Sequence, residues 1–389
     1  MKMRKNKMNR AFQQIAILIV FLILAASCQT EKQDRFRPGE IWEDNNGVHI
    51  NAHGGGVLYH QGVYYWYGEH KVEGLIGNKA QVGFHCYSST DLYNWKDEGI
   101  VLKVVEDNPD HDIAKGVIME RPKVIYNAKT KKFVMWFHLE PKGVMYDGAK
   151  TAIAISDSPT GEFEFVKSMR PNAGHMPLNA GELLEKPVHP VALSHKFSGG
   201  GIPFSTDSLN LVKRDKDGGQ MSRDQTLFVD DDGTAYHIHA SEENATLHIS
   251  KLTDDYLDSS GEYVRVFPDR FMEAPAIFKK DGKYFLIASG CSGWAPNAAR
   301  SAVADHIFGP WTELDNPCSG DLASLTFDSQ SNYVLPVEGK KDAFIFMADR
   351  WNPTNPIDGR YVWLPIQFDE KGHPFIEYRT EWDLSVFDK

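Results

Sequence analysis

From about residue 40 onward the chain alternates short runs of aromatic and β-branched residues with clusters of Gly, Asp, Asn and Lys. It almost nowhere repeats apolar residues at the spacing of an amphipathic helix. Runs of that composition, bounded by turn formers, predict β-strands, so the expectation is an all-β domain. Five segments align with one another: NAHGGGVLYHQGVYYWYGEH (51–70), ERPKVIYNAKTKKFVMWFHLE (120–140), RDQTLFVDDDGTAYHIHASEE (223–243), EAPAIFKKDGKYFLIASG (273–290) and QSNYVLPVEGKKDAFIFMADR (330–350). Each opens on a polar residue beside small residues or Pro, runs along a strand to a turn, and returns along an aromatic-rich strand. The turns HQG, NAKTKK, DDDG, KKDG and EGKKD have hairpin chemistry. DDDG lacks the spaced ligands and terminal Glu of an EF-hand loop and reads as one of these turns.

A third strand follows each pair, in VGFHCYSS, AKTAIAISDS, TLHISKL, ARSAVADH and GRYVWLPIQF, and four are followed by another extended stretch. Five units of about four antiparallel strands predict a five-bladed β-propeller over residues 41–389, because radial repetition protects sheet edges that an open sheet would expose. The Pro-, Gly- and Asn-rich stretch around 165–220 is expected as loop decorating the mouth of the propeller. In a propeller the first strand of each blade lines the central channel. The polar residues opening those strands should therefore crowd one axis: Asn51 or His53, Glu120, Asp224, Glu273 and Gln330. Two of them share a context, MERPKV at 119–124 and MEAPAI at 272–277, in which the Pro is expected to hold the residue before it in extended backbone.

Carboxylates gathered in an apolar barrel are costly to bury without a purpose. Two that face a shared pocket suit cleavage of a glycosidic bond, which needs a proton for the leaving oxygen and help for an attacking water. Trp66, Tyr67, Trp136, Phe137, Trp294 and Trp351 stand at or near strand ends where rings could meet sugar faces. Most aromatics in these runs are expected in the core between blades; Trp294, in SGCSGWAPN, is the one singled out to touch ligand. HGGG has no G-x-S-x-G elbow to accompany it, so acyl transfer is not indicated. The glycines at 54–56 are expected to let the backbone pass close to the axis.

The formal net charge of −11, with no Lys/Arg cluster beyond the N-terminus, argues against a nucleic-acid partner. Lys2, Arg4, Lys5, Lys7 and Arg10 precede the apolar run AILIVFLILAA and then Ser27-Cys28, the order of a secretory signal. LAASC resembles a bacterial lipoprotein signal. It implies a signal peptide at 1–27, a lipid anchor on Cys28, a tether at 28–40, and an exported protein held at the outer membrane or periplasmic face. Of the other cysteines, Cys86 reads as a buried thiol, and Cys291 with Cys318 is the nearer pair for a disulfide. No CxxC or His-rich spacing suggests a zinc site.

INAHGGG, GEH, CYSSTDLYNW, ERPKVIYN, SRDQTLFVDDDGTAY, EAPAIFKKDGKYF, SGW, DSQSNYVLP and DRW…YVWLPI together resemble glycoside hydrolase family 43, and within it the exo-β-1,3-galactanase branch. The resemblance implies an inverting exo-acting glycosidase, with an oligo- or polysaccharide such as the β-1,3-galactan of arabinogalactan as partner. No cofactor is required, and a structural calcium occurs in some relatives. It makes Glu273 the general acid and puts Glu120 in the second-blade carboxylate place. The usual first-blade aspartate is missing, since that stretch reads NAHGGG, and Gln330 takes the base's place in this branch. Asp224, Glu69, Tyr146 and Ser292 match sugar-binding positions, with His53 and Asn51 at the axis and His53 a candidate holder of water or a cation. α-L-Arabinofuranosidase or β-xylosidase activity, or a catalytically inactive sugar-binding propeller, are the alternatives.

Overall fold

A computed structural model describes residues 32–194 and 201–388; the signal segment and Cys28 lie outside the described residues. Blade 1 is β1 (His53–His60), β2 (Val63–His70), β3 (Gly83–Ser89) and β4 (Lys96–Lys103). Blade 2 is β5 (Ile118–Asn127), β6 (Lys132–Glu140), β7 (Lys150–Ser156) and β8 (Glu164–Met169). Blade 3 is β9 (Gln225–Val229), β10 (Ala235–Ser241), β11 (Thr246–Leu252) and β12 (Ser259–Val266). Blade 4 is β13 (Met272–Lys280), β14 (Lys283–Gly290), β15 (Arg300–Ala304) and β16 (Trp311–Leu314). After the short β17 (Cys318–Ser319), blade 5 comprises β18 (Gln330–Pro336), β19 (Phe344–Arg350), β20 (Arg360–Phe368) and β21 (Pro374–Glu377).

Each blade is an antiparallel meander in chain order, with β17 added parallel to β21 at the outer edge of blade 5. The innermost strands β1, β5, β9, β13 and β18 touch their neighbours in a closed ring, which is the five-bladed propeller expected from the repeat. The hairpin turns follow the chemistry of their residues. Gln61-Gly62 and Asp281-Gly282 are two-residue turns with φ of 49° and 88°, and 50° and 77°, the left-handed pair whose twist matches the flanking strands.

Between the blades lie apolar layers, and Trp66, Tyr67, Trp136 and Phe137 are fully buried there; they are core, not sugar platforms. The seam between blades 5 and 1 is aromatic: Phe36 and Trp382 exchange backbone hydrogen bonds (2.7 and 3.1 Å) and stack at 4.3 Å beside Trp42 and Trp363. Residues from Phe36, expected as tether, are thus tied into the propeller, because a ring this apolar gains about 1.5–3 kcal/mol from burial. Cys86, Cys291 and Cys318 are all free thiols, so no disulfide joins the nearer pair.

The insertion before blade 3 differs from the expected mouth loop. Among its described residues are three short α-helices, α1 (Pro190–Ser194), α2 (Thr206–Leu209) and α3 (Leu211–Arg214), and it runs along the outer strand of blade 3. Leu178 N–H donates to Tyr263 O (2.8 Å), and the Asn179 side chain exchanges hydrogen bonds with the Arg265 backbone (2.8 and 3.0 Å). The segment covers an edge that would otherwise offer unpaired backbone groups to another strand. Its two ends reach the loop that carries Tyr146, where Arg170 donates to Asp147 O and Arg223 to Tyr146 O, both at 2.8 Å.

Candidate active site

Four of the five innermost strands break register near their first residues: between His53 and Gly56, Glu120 and Lys123, Glu273 and Ala276, and Ser331 and Tyr333. A bulge there turns the side chain before it and ends regular pairing. Gly54, Arg121 and Ala274 sit inside three of these bulges with φ of 65°, 57° and 50°. The residue before Pro in the two M-E-x-P stretches is therefore left-handed, not extended. For Arg121 and Ala274 that conformation costs roughly 1–2 kcal/mol each, which the surrounding ladder must hold in place.

The ladder then gives four of the five axial residues a polar partner on the second strand. The cross-strand pairs are His53 with Glu69, Glu120 with His138, Glu273 with Ser289 and Gln330 with Asp349. Asp224 stands just before β9, its carbonyl accepting from Ala240 N–H (2.9 Å). The axial ring inferred from the repeat thus forms, with a second circle of partners behind it.

Arg121 binds the ring together. Its Nη2 donates to Asp224 Oδ2 (2.9 Å) and Gln330 Oε1 (2.6 Å), and its Nη1 to Asn332 Oδ1 (2.9 Å). Its backbone N–H donates to Glu69 Oε1 (3.0 Å), and its guanidinium lies 5.3 Å from the Trp351 ring centre. Lys71 Nζ contacts Glu69 Oε2 at 2.5 Å, and Lys123 Nζ donates to Gly54 O (3.0 Å). Arg121 and Lys71 offset a concentration of carboxylates that would otherwise be prohibitive, whereas burial, with the Arg121 charge beside it, brings Lys123 down to about 7.

The two echoing glutamates meet opposite surroundings. Glu120 Oε2 is 3.1 Å from His138 Nδ1, Glu120 Oε1 accepts from Tyr146 Oη (3.0 Å), and His138 Nε2 is 2.9 Å from Glu140 Oε1. Burial alone would lower the His138 pKa, but the hydrogen bonds to Glu120 and Glu140 raise it to about 9. Burial alone would raise that of Glu120; the bond and charge of His138, with Lys71 and Arg121, outweigh it and hold the carboxyl at about 2. Glu273 accepts one hydrogen bond at Oε1, from Asn244 Nδ2 (2.8 Å). Burial, reinforced by the facing Asp224 carboxylate, pushes it up to about 7. One carboxyl stays ionised and the other can hold a proton near neutrality, the division of labour that acid-assisted hydrolysis requires.

The remaining candidates divide. Glu69 is buried against Lys71 and the Arg121 backbone, its pKa raised by burial with Lys71 opposing. Tyr146 reaches the ring through Glu120. His53 is wholly buried, its ring against Tyr361 (5.2 Å between ring centres); Nδ1 lies 3.8 Å from Asp349 Oδ1, and neither ring nitrogen has a hydrogen-bond partner among the described residues. Asn51 is spent on the Lys71 backbone, accepting from its N–H (2.8 Å) and donating to its carbonyl (2.9 Å), so it does not face the axis. Ser292 is exposed and tied within its own loop, donating to Ala295 O and accepting from Asn297 Nδ2, both at 2.6 Å. Trp294 is 43% exposed at the mouth, its ring 5.9 Å from that of Trp351, and both line a small recess with Gln330. Arg121, His138, Glu140, Asn244, Ser289 and Asp349 were not anticipated, although the hairpin register places three of them directly opposite axial residues.

Atoms of Glu120, His138 and Asp224 come within 4.8 Å of one another, close enough to be tested as a metal site. His138 has a carboxylate at each ring nitrogen and so is held as the doubly protonated imidazolium, without a lone pair to offer. These residues fit a proton better than a metal ion.

A propeller whose axis opens between a proton-holding carboxyl and an ionised one is the framework of a glycoside hydrolase. The chain belongs to glycosyl hydrolase family 43. The family's model matches residues 203–372. A family 43 β-1,3-galactosidase solved with galactodeoxynojirimycin is 52% identical and superposes with a TM-score of 0.85, over 90% of this chain and 100% of that one. An exo-β-1,3-galactanase from Phanerochaete chrysosporium, solved with β-1,3-galactotriose, is 30% identical with a TM-score of 0.72, over 91% of this chain and 69% of that one. A β-D-galactofuranosidase from Aspergillus niger is 24% identical over 157 residues, which is 40% of this chain and only 45% of that enzyme.

Proposed function

We propose that the protein is an inverting, exo-acting hydrolase that releases galactose from β-1,3-linked galactan such as that of arabinogalactan. The observation that carries the reaction is the contrast between Glu273, pushed up to about 7, and Glu120, held at about 2. Glu273 protonates the leaving oxygen as the glycosidic bond breaks, and a water attacks the anomeric carbon from the other face. Glu120 stays anionic and takes the proton that the water gives up. Asp224 presents an oxygen for sugar hydroxyls and the buried Glu69 supports the site through the Arg121 backbone, while Trp294 and Trp351 offer rings at the mouth. The choice of galactose is supported by the galactan-active relatives. No cofactor is needed for this chemistry; an ion near His53 would be structural.

Incubation with β-1,3-galactan, arabinan and aryl glycosides, followed by chromatography of the released sugar, tests the substrate. Proton NMR of the first turnovers tests the stereochemistry. Galactose appearing first as the α-anomer supports the reading. Arabinose, xylose or galactofuranose products would replace the substrate, and binding without any product would mark an inactive sugar-binding propeller. We further propose export and lipid anchoring through Cys28, supported by LAASC. Membrane-fraction labelling by palmitate that survives Cys28→Ser would overturn that.

A further inference from the structure

The proposed reaction leaves open what Gln330 does, and its neighbours decide this. Gln330 Oε1 accepts from Arg121 Nη2 at 2.6 Å and from Trp351 Nε1 at 2.9 Å. A guanidinium and an indole N–H can only donate, so the amide cannot be turned end for end without opposing donors to donors. Its Nε2 donates to Ser289 Oγ at 2.9 Å, which leaves one N–H to offer elsewhere. Both lone pairs of the amide oxygen are therefore engaged, one of them by a cation.

Glutamine can take a proton from water only on its oxygen, or on its nitrogen after the amide has become an imidic acid carrying O–H and C=N. Either route places a hydrogen on Oε1, aimed at two N–H groups that point back at it. Arg121 has little freedom to give way. The same guanidinium holds Asp224 and Asn332, and its backbone is fixed in the bulge by Glu69. Its counterpart in the second M-E-x-P stretch is Ala274, so this grip exists on one side of the axis alone.

Resting on the functional reading above, we propose that Arg121 is a positioning residue that locks the Gln330 amide with its oxygen engaged, making Gln330 an obligate hydrogen-bond donor to the site. The proton released by the attacking water then passes to Glu120 while Glu273 loses its own to the leaving oxygen, so charge and protons balance without an imidic acid.

Neutron diffraction from deuterium-exchanged crystals near neutral pH tests the lock without reference to activity. Two deuterons on Gln330 Nε2 and none on Oε1 are expected, with the Arg121 and Trp351 deuterons directed at Oε1. A deuteron on Oε1 would overturn the proposal even if the enzyme hydrolyses galactan as expected. A kinetic cycle provides the second arm, using Arg121→Met, Gln330→Ala and the double variant, each checked for folding by its melting transition. If Arg121 acts through Gln330, the double variant loses no more than about threefold in kcat/KM beyond the worse single one. Multiplied losses would show that Arg121 acts independently. Azide should restore turnover in Glu120→Ala and leave Gln330→Ala unchanged; rescue of the latter would make the amide the proton acceptor. A protein inactive on every glycoside would defeat the functional reading and leave the neutron result to stand or fall by itself.

Discussion

Replacing Glu273 by Gln should make the protein more stable while it destroys the activity. In the folded chain this carboxyl is pushed from 4.5 up to about 7, by burial first and by Asp224 second. Below pH 4.5 it is protonated in both the folded and the unfolded chain, and folding gains or loses nothing from it. As the pH rises, the unfolded chain ionises first and is favoured, so stability falls until the folded group also ionises near pH 7 and then levels off. A displacement of that size corresponds to about 3 kcal/mol. Glu273 is partly open to the pocket, so solvent screens part of this and about 1.5–3 kcal/mol is the expected loss.

Glutamine keeps an oxygen for Asn244 and cannot ionise, so Glu273→Gln removes the penalty. The assay is the difference in melting temperature between variant and wild type across pH 4.5 to 8. It should be small at the acid end and grow to about 3–6 °C above pH 7, at roughly 2 °C per kcal/mol for a chain of this size. Turnover should fall by orders of magnitude, and in the wild type kcat/KM should decline with a single proton above pH 7. A melting difference that does not grow with pH would refute the account of Glu273, whatever happens to activity.

Tyr146→Phe removes one of the donors that hold Glu120 ionised, so the acid limb of kcat/KM should move up in pH and turnover should fall roughly tenfold; an unmoved acid limb would count against that role. Gly54→Ala places a methyl 2.1 Å from Glu69 Oε1 at a φ of 65°, and should lower activity about 100-fold by displacing Glu69 and the Arg121 backbone it holds. Phe36→Ala opens the aromatic seam far from the reacting groups; it should cost about 3–5 kcal/mol in denaturant titration, with kcat unchanged in the folded fraction.

The blades were legible because their signal is local: alternating residues, turn formers and a period that repeats five times. The axial ring followed from topology alone, since Glu120, Asp224, Glu273 and Gln330 occupy the same place in their repeats. Three features were hidden for physical reasons. A left-handed Arg121 or Ala274 carries no mark in the sequence, because the residue before Pro is expected to be extended. The path of the insertion along β12 depends on backbone pairing with Tyr263 and Arg265, which no periodicity announces. Asn51 and His53 are both polar residues at the head of blade 1, and nothing local in the sequence says that Asn51 will bond the Lys71 backbone and His53 pack on Tyr361.

The M-E-x-P echo shows how a nearly symmetric frame produces unlike carboxyls. Both stretches build the same bulge and aim a glutamate at one axis, so the backbone makes no distinction between acid and partner. The distinction lies in two substituents. At the x position blade 2 has Arg121 and blade 4 has Ala274; across the ladder Glu120 faces His138 and Glu273 faces Ser289. Two cations beside one glutamate and none at the matching places beside the other displace their pKa values in opposite directions. Arg121 then does a second task, holding Asp224 and Gln330 with the hand that Ala274 lacks. The chemistry of the axis is thus written at the points where the repeat is broken, and the repeat supplies the geometry that makes those breaks meet.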